Sequence, residues 1–407
     1  MVAAPRLRKK ENVFKPDVKG EKIPDLLKVA AIYGPNASGK SNLIKALGIV
    51  NQLTTTNKSF ETLPVTPFRF DPALVDQPSR FEFHFIAAGQ RYEYKLAATP
   101  ERIMEEQLNV YPNGKEKLLY SRQYAPSGET YEFGETLEGG SVLHEAWQNL
   151  TSSKMLFISQ AVKNSRDELQ QLRNPFKWLR SNLTTIPRNM DGLAKVAVTL
   201  GGSNPTLNFE EHISSFLHDI DVPISGVQLE VSGNSSNKDG VAQSSNTTHS
   251  EKDNSPDIQN EMPRVKTTLT HNTALGEANF DISEESDGTM NLIGFSLPWM
   301  LIGNPQFDIK VLIVDELDSS LHPKIVACLI EKLLKFVEPA QIIFTTHDTH
   351  LMDTKLLRRD QFWLTERDTN GATQLRSIHD FDGRESEDME KRYYEGRYRG
   401  LPILHNN

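Results

Sequence analysis

Residues 310–323 read KVLIVDELDSSLHP, and this stretch decides the fold. Apart from Lys310, the residues from Ile309 to Val314 are apolar, which predicts a strand buried on both faces of a parallel sheet. The strand ends in two adjacent carboxylates, Asp315 and Glu316. Two carboxylates at the rim of an α/β sheet repel each other unless a cation or a proton lies between them. The pattern therefore indicates Mg²⁺ with a phosphate substrate, and it predicts a phosphate-binding loop elsewhere in the chain.

That loop lies near the N-terminus. Residues 27–33 (LKVAAIY) predict a strand, residues 34–41 (GPNASGKS) match the pattern G-x-x-x-x-G-K-[ST], and an apolar 3.6-residue pattern follows. The backbone N–H groups of the loop and the helix N-terminus would face the phosphates, Lys40 would reach the β- and γ-phosphates, and the Ser41 hydroxyl would bind Mg²⁺. The predicted nucleotide-binding residues here are Gly34, Pro35, Asn36, Ala37, Ser38, Gly39, Lys40, Ser41 and Asn42.

The composition limits the class of protein. A chain of 407 residues can hold one large domain or a few smaller ones. The formal net charge of −9 argues against a protein that coats nucleic acid through its overall charge, and leaves room for a local basic face. The sequence has no signal peptide and no apolar run of about twenty residues, which predicts a cytoplasmic protein with no membrane partner.

The segments on either side of the loop differ in character. Residues 1–26 are basic and irregular, which favours a solvated leader over a nucleic-acid contact. Residues 64–135 show period-two alternation, with turns indicated at Ala88-Gly89 and at Pro112-Asn113-Gly114. This region is therefore predicted to form an antiparallel sheet attached to the nucleotide-binding core.

The middle of the chain changes to helical spacing. Residues 142–218 carry apolar residues three or four apart, with Trp147, Trp178 and Phe216 as predicted core residues. Residues 232–263 are rich in Ser, Asn, Asp and Thr and cannot bury enough surface to offset their ordering entropy. They are predicted to be a disordered loop that joins two strands of one sheet.

Two further motifs follow that loop. Ser286-Asp287-Gly288-Thr289 opens an apolar-striped helix, so a hydroxyl and backbone N–H groups lie at a helix N-terminus. A last buried strand at residues 341–346 (QIIFTT) ends at His347. Alone, the first motif is an ordinary helix cap and the second an ordinary structural histidine. The Ser-x-Gly motif lies between the phosphate loop and the Asp-Glu strand, and His347 lies after that strand. This order of motifs is the one found in ATP-binding-cassette ATPases.

With these motifs in order, the chain resembles stand-alone bacterial ATPases of the SMC/RecF/OLD-like branch of the ABC class, and within it the RloA-type proteins of restriction-linked and phage-defence operons. The resemblance rests on AAIYGPNASGKSNLIKAL, SEESDGT, LIVDELDSSLHP, FTTHDTHLMD and GRYRGLPIL. It implies an α/β fold, an ABC-type P-loop NTPase head with a mixed, largely parallel core sheet, an antiparallel β lobe and an inserted helical lobe. The implied parts are residues 1–140, the first part of the head; 141–275, the helical lobe; and 276–407, the second part of the head.

The resemblance also implies ATP and Mg²⁺ as cofactors and a role for each motif. Lys40 and Ser41 would bind phosphate and Mg²⁺, and Asp315 would hold Mg²⁺ directly or through water. Glu316 would orient or deprotonate the attacking water, and His347 would sense the γ-phosphate.

Other residues would act between two subunits. Ser286 and Gly288 would close on the ATP that the neighbouring subunit holds, and Asp318 lies in the loop that communicates across the dimer. The resemblance therefore implies a head-to-head homodimer, since no single subunit contains a complete site, and leaves any higher assembly open.

Two functions compete at this point. In the first, an ATP-hydrolysing sensor or scaffold controls a separately encoded effector, a nuclease, in anti-phage defence. In the second, a RecF-like ATPase binds DNA directly in repair, and basic and aromatic residues at 391–399 suit nucleic acid, an interface or a packed helix equally. An intrinsic ribonuclease built on Arg399 and His405 is disfavoured because Gly400 and Pro402 would break the helix that such a pair needs.

Overall fold

The computed structural model describes residues 1–55, 60–186, 191–203, 207–220, 222–231, 265–304, 306–319, 321–336, 339–385 and 387–398. The chain divides into two compact units, Met1–Arg188 with Leu301–Asn407, and Asn189–Met300. These two units are defined by how compactly their residues pack. The boundaries predicted at residues 140 and 275 were defined by the order of the motifs, and they stay a prediction. The predicted disordered loop at 232–263 and the tail residues Arg399 and His405 lie outside the described residues.

Strands and helices occur throughout both units. The strands are β1 (Val13–Phe14), β2 (Leu26–Leu27), β3 (Val29–Tyr33), β4 (Ser79–Ala87), β5 (Gln90–Ala98), β6 (Ile103–Val110), β7 (Lys117–Ala125), β8 (Gly128–Phe133), β9 (Leu183–Ile186), β10 (Ile224–Val231), β11 (Val265–Thr273), β12 (Gly276–Asp281), β13 (Val311–Val314), β14 (Gln341–Thr345), β15 (Phe362–Arg367) and β16 (Thr373–Ser377). The helices are α1 (Lys40–Thr55), α2 (Gly140–Leu150), α3 (Phe157–Lys163), α4 (Arg173–Lys177), α5 (Asp191–Ser203), α6 (Phe209–Asp219), α7 (Asp287–Gly303), α8 (Pro323–Phe336) and α9 (Met389–Tyr394).

The core of the first unit is a six-stranded sheet in the order β16-β15-β3-β14-β13-β9. Neighbours from β15 to β9 run parallel, and β16 pairs antiparallel with β15 at the edge. Strands β3, β13 and β14 are buried along their whole length, which explains their continuous apolar sequences. Because parallel strands end at the same edge, the segments after β3, β13 and β14 meet there. The predicted α/β class with a mixed core sheet is confirmed.

The antiparallel lobe of the first unit is the meander β4-β5-β6-β7-β8. Ala88 and Gly89 form the turn between β4 and β5 with φ of 48° and 74°, a left-handed pair that matches the twist of a two-residue hairpin. The ring of Phe85 stacks on that of Trp178 at 4.1 Å, which packs the lobe on the segment after α4. The predicted antiparallel sheet is therefore confirmed over residues 79–133 of the range 64–135, and the second predicted turn is present as a short helical turn at Pro112–Gly114 between β6 and β7.

The second unit contains α5, α6, most of α7 and the three-stranded antiparallel sheet β10-β11-β12. Strands β10 and β11 are the two strands predicted on either side of residues 232–263, and that pairing is confirmed. The inserted region is thus mixed in structure rather than purely helical.

Two further expectations are wrong. Residues 1–26 are not a solvated leader, because Ala3 and Leu7 are buried and β1 pairs with β2. Residues 142–218 are not helical throughout, since Leu183–Ile186 forms β9 and pairs in parallel with β13 at the edge of the core sheet. In contrast, Trp147, Trp178 and Phe216 are buried as predicted. Among the described residues, none of the helices combines the length and the apolar character that crossing a bilayer requires.

Candidate functional site

The loop between β3 and α1 has a backbone that only particular residues tolerate. Gly34, Ala37 and Gly39 have φ of 153°, 62° and 100°. A Cβ on Gly39 would lie 1.9 Å from Oγ1 of Thr373, and one on Gly34 would lie 2.2 Å from Oγ1 of Thr365. Both glycines are therefore required by backbone conformation and by the close approach of the β15–β16 hairpin.

Hydroxyl groups of that hairpin hold the loop in place. Thr365 donates to the carbonyl oxygen of Tyr33 at 3.1 Å, so Ser38, whose Oγ lies 2.6 Å from Thr365 Oγ1, donates to it. Thr373 donates to the carbonyl oxygen of Ser38 at 2.9 Å. Sequence reasoning missed both threonines. Period-two alternation around the turn Asn370-Gly371 was the available signal for the hairpin, but it does not reveal the contact with the loop.

The Lys40 side chain is buried, with 7% of the residue exposed, and its Nζ donates to the carbonyl oxygens of Gly34 at 2.8 Å and Pro35 at 3.2 Å. Burial lowers the pKa of the Lys40 ammonium, and the carboxylates of Glu316, Asp315 and Asp318 oppose that shift. The phosphate loop and the acidic end of β13 therefore lie close together at one edge of the core sheet.

The acidic end of β13 is fixed by the neighbouring strand β14. Asp315 is buried, and its Oδ1 accepts a hydrogen bond of 2.6 Å from Thr345 Oγ1. The N–H of Glu316 donates to the same hydroxyl at 2.7 Å. Leu317 donates from its N–H to the Thr345 carbonyl oxygen at 3.0 Å. Glu316 has a φ of 52°, a left-handed conformation that is uncommon for a residue other than glycine.

The segments after β13 and β14 are also joined further from the strands. The His347 N–H donates to Asp318 Oδ2 at 3.1 Å, and the His347 side chain is exposed at the rim. Tyr33, at the end of β3, is fully buried; burial, reinforced by the carboxylates of Asp348 and Asp318, raises the pKa of its phenol well above the usual value. Tyr33 therefore stays neutral beside these acids.

The groups at this edge of the sheet fit a nucleotide with Mg²⁺. Backbone N–H groups, a buried ammonium and adjacent carboxylates complement the charges of phosphates and of a divalent cation. Ser41 and Asn42 in the first turn of α1 are exposed, so a phosphate can reach them. Among the described residues, Asp318 Oδ1 is buried without a hydrogen-bond partner, and a water molecule bound to a cation would supply a donor. Ser41 and Asp315 are the residues that would hold the cation.

Ser286 and Gly288 lie in the second unit, and both are exposed. The Thr289 N–H donates to Ser286 Oγ at 3.2 Å, so Ser286 caps the N-terminus of α7 as predicted. Their action on the ATP of a neighbouring subunit stays a prediction.

A family model described as "AAA domain, putative AbiEii toxin, Type IV TA system" matches residues 29–353. The chain is also similar to three solved structures at low identity. An SMC head bound to the C-terminal winged-helix domain of ScpA shares 13% identity over 89% of this chain and 95% of that chain, with a TM-score of 0.37. The SMC head domain of Thermotoga maritima shares 14% identity over 90% of this chain and 97% of that chain, with a TM-score of 0.36. An Smc head with an extended coiled coil bound to the C-terminal domain of ScpA, from Pyrococcus furiosus, shares 12% identity over 90% of this chain and 96% of that chain, with a TM-score of 0.37. No curated protein matches the sequence.

Proposed function

Because the chain belongs to the family of AAA domains described as putative AbiEii toxins of type IV toxin–antitoxin systems, we propose that it binds ATP with Mg²⁺ and hydrolyses it to ADP and phosphate. The observation that carries this proposal is the convergence of the buried Lys40 ammonium with the carboxylates of Asp315 and Glu316 at one edge of the core sheet. A loop that binds phosphate and an acidic strand end that binds a cation are the two requirements of phosphoryl transfer to water.

In the proposed reaction, each group acts according to its position. Lys40 exchanges its bonds to the loop carbonyls for bonds to the β- and γ-phosphates, and Ser41 and Asp315 hold Mg²⁺. When bound, Mg²⁺ neutralises charge on the phosphate oxygens and orients them. Glu316 holds the attacking water and accepts its proton, and His347 contacts the γ-phosphate from the rim.

We place the complete site between two copies of the chain. Ser286 and Gly288 present a hydroxyl and backbone N–H groups at the exposed N-terminus of α7, an arrangement that suits an anionic phosphate. In a head-to-head homodimer, this cap closes on the nucleotide of the other subunit, and Asp318 lies in the loop that links the two sites.

The proposed role is that of a cytoplasmic sensor or scaffold that controls a separately encoded effector, a nuclease, in anti-phage defence, as in RloA-type proteins. The family description, which names toxin–antitoxin systems, supports a role in such operons. The alternative, a RecF-like ATPase in DNA repair, is less well supported. Its candidate contact is the tail at residues 391–399. There, Tyr393 and Tyr398 are buried and Arg392 forms a salt bridge of 2.7 Å with Glu387, which leaves Tyr394 as the exposed aromatic side chain of that segment.

The test of catalysis is ATP turnover by the purified chain with Mg²⁺, alone and with DNA. We expect Lys40→Ala to abolish ATP binding, because it removes the buried ammonium from the loop, and Lys45→Ala to leave binding unchanged. Lys45 is the matched control because it lies on the same helix and is exposed. Absence of ATP binding by the unaltered protein in calorimetry would refute the proposal. Strong stimulation by DNA would favour the repair function, and an adjacent nuclease or toxin gene would favour the regulator.

A further inference from the structure

Thr345 occupies a central position in the candidate site. It is the last residue of β14, which lies between β3, the strand before the phosphate loop, and β13, the strand before the two acids. The residue has no solvent-exposed surface. A hydroxyl group in a strand buried on both faces costs free energy unless it is hydrogen-bonded, so its partners indicate why it is there.

Both partners of the Thr345 hydroxyl belong to the acidic end of β13. A hydroxyl has one hydrogen, which it donates to Asp315 Oδ1 at 2.6 Å, and it accepts the N–H of Glu316 at 2.7 Å. Because Oδ1 of Asp315 is used in this way, Oδ2 is the oxygen left to bind a cation. One side chain therefore occupies one oxygen of Asp315 and leaves the other for a cation.

The same residue stabilises an unfavourable backbone. A non-glycine residue with a φ of 52° persists only where its surroundings fix it, and here Thr345 does so by accepting the N–H groups of Glu316, on its hydroxyl, and Leu317, on its carbonyl oxygen. The left-handed conformation redirects the chain directly after Asp315. The orientation of the Glu316 side chain therefore depends on Thr345.

We propose that Thr345 is the positioning residue for hydrolysis, setting the cation-binding oxygen of Asp315 and the direction of Glu316 through one hydroxyl group. This inference rests on the proposed function. It predicts that loss of the hydroxyl affects turnover and Mg²⁺ dependence, whereas ATP binding through the phosphate loop is retained.

The test compares Thr345→Val, which keeps the shape and removes the hydroxyl, with Thr345→Ser, which keeps the hydroxyl. We expect Thr345→Val to lower kcat about tenfold or more and to raise the Mg²⁺ concentration needed for half-maximal rate, since partners of metal ligands typically contribute roughly 10–100-fold. The dissociation constant of ATP should change by less than about threefold, because a residue that acts mainly in the transition state contributes little to binding in the ground state. Thr345→Ser should restore most of the rate.

Thr54→Val is the matched control. Thr54 is equally buried, but its hydroxyl donates to backbone carbonyls such as that of Val50 at 2.9 Å and touches none of the acids. Equal kcat in Thr345→Val and the unaltered protein, measured per ATP-binding site, would overturn the positioning role alone. An equal loss in Thr54→Val, or no rescue by serine, would overturn it in favour of a purely structural role. An unaltered protein without ATPase activity would overturn both this inference and the proposed function.

Discussion

At the scale of single residues, the phosphate loop depends on contacts made by a distant hairpin. Gly39 combines a φ of 100° with the Thr373 hydroxyl directly beside it, so both its conformation and the available space exclude a side chain. The loop is therefore supported from outside, and the sequence motif alone does not define its geometry.

This dependence predicts the effect of Gly39→Ala. The left-handed backbone costs on the order of 1–3 kcal/mol for a residue other than glycine, and the clash with Thr373 adds to that cost. We expect a larger fall in the free energy of unfolding than in Gly128→Ala, together with loss of ATP binding. Gly128 has a φ of 126°, and apart from Gly128 itself and its two chain neighbours no heavy atom of the described residues lies within 4 Å of the place that a Cβ would take, so it isolates the conformational cost. Urea denaturation and calorimetry would measure the two effects, and equal losses in both variants would contradict the role of Thr373.

At the scale of secondary-structure elements, one buried carboxylate attaches α3 to the antiparallel lobe. Glu106 on β6 is fully buried and accepts hydrogen bonds from the N–H groups of Phe157 at 2.6 Å and Ile158 at 3.1 Å, at the start of α3. The hydroxyl groups of Tyr94 and Tyr120 also donate to it, and the guanidinium of Arg122 lies 3.9 Å away. A carboxylate with so many donors stabilises both the strand and the helix.

Glu106→Gln should therefore be strongly destabilising. The amide keeps the size of the side chain, but it brings hydrogens toward groups that already donate, and it removes the fully buried charge beside Arg122, which keeps only its pair with Glu129 at 3.0 Å. We expect a loss of about 3 kcal/mol or more in the free energy of unfolding. The matched control is Glu105→Gln on the same strand, because Glu105 pairs with the exposed Arg80, and such pairs contribute about 1 kcal/mol or less. Similar losses in the two variants, measured by urea denaturation, would disprove the anchoring role.

The elements also show what sequence can and cannot predict. Strands β3, β13 and β14 were predictable because burial on both faces requires continuous apolar sequence, and the hairpins of the lobe were predictable because their turns need Gly or Asn. Strand β9 was not, since it has four residues and directly follows the helical residues 173–182. The packing of Ala3 and Leu7 within residues 1–26 was missed because the basic character of that segment concealed its few buried apolar residues.

The candidate site divides in the same way. Lys40, Asp315 and Glu316 were identifiable from local sequence, because Lys40 belongs to the phosphate-loop pattern and the two acids directly follow an apolar strand. Thr345, Thr365 and Thr373 were not, because a threonine has no distinctive spacing and its role depends on which strand folds beside it. The polar end of the apolar sequence QIIFTT was the one available signal for Thr345.

At the scale of the whole molecule, the proposed site between two subunits predicts a nucleotide-dependent change in mass. Glu316→Gln should bind ATP but not deprotonate the attacking water, so the ATP-bound dimer should accumulate. Light scattering coupled to gel filtration would measure this, with and without saturating ATP and Mg²⁺. Ser286→Ala added to Glu316→Gln should weaken the dimer without reducing ATP binding to the monomer. A variant that stayed monomeric at saturating ATP would refute the composite site.

The order of strands in the core sheet has a consequence for biosynthesis. Val29 pairs with Ile342 and Ala31 with Phe362, so the strand that carries the phosphate loop is translated long before either of its neighbours. Until the ribosome has delivered those late segments, the apolar sequence VAAIY has no sheet to enter, and such exposed segments make a nascent chain prone to aggregation. During synthesis, this apolar segment therefore stays exposed for a long time and can be bound by chaperones. Translation products that end before β14 and β15 cannot form the core sheet around the phosphate loop.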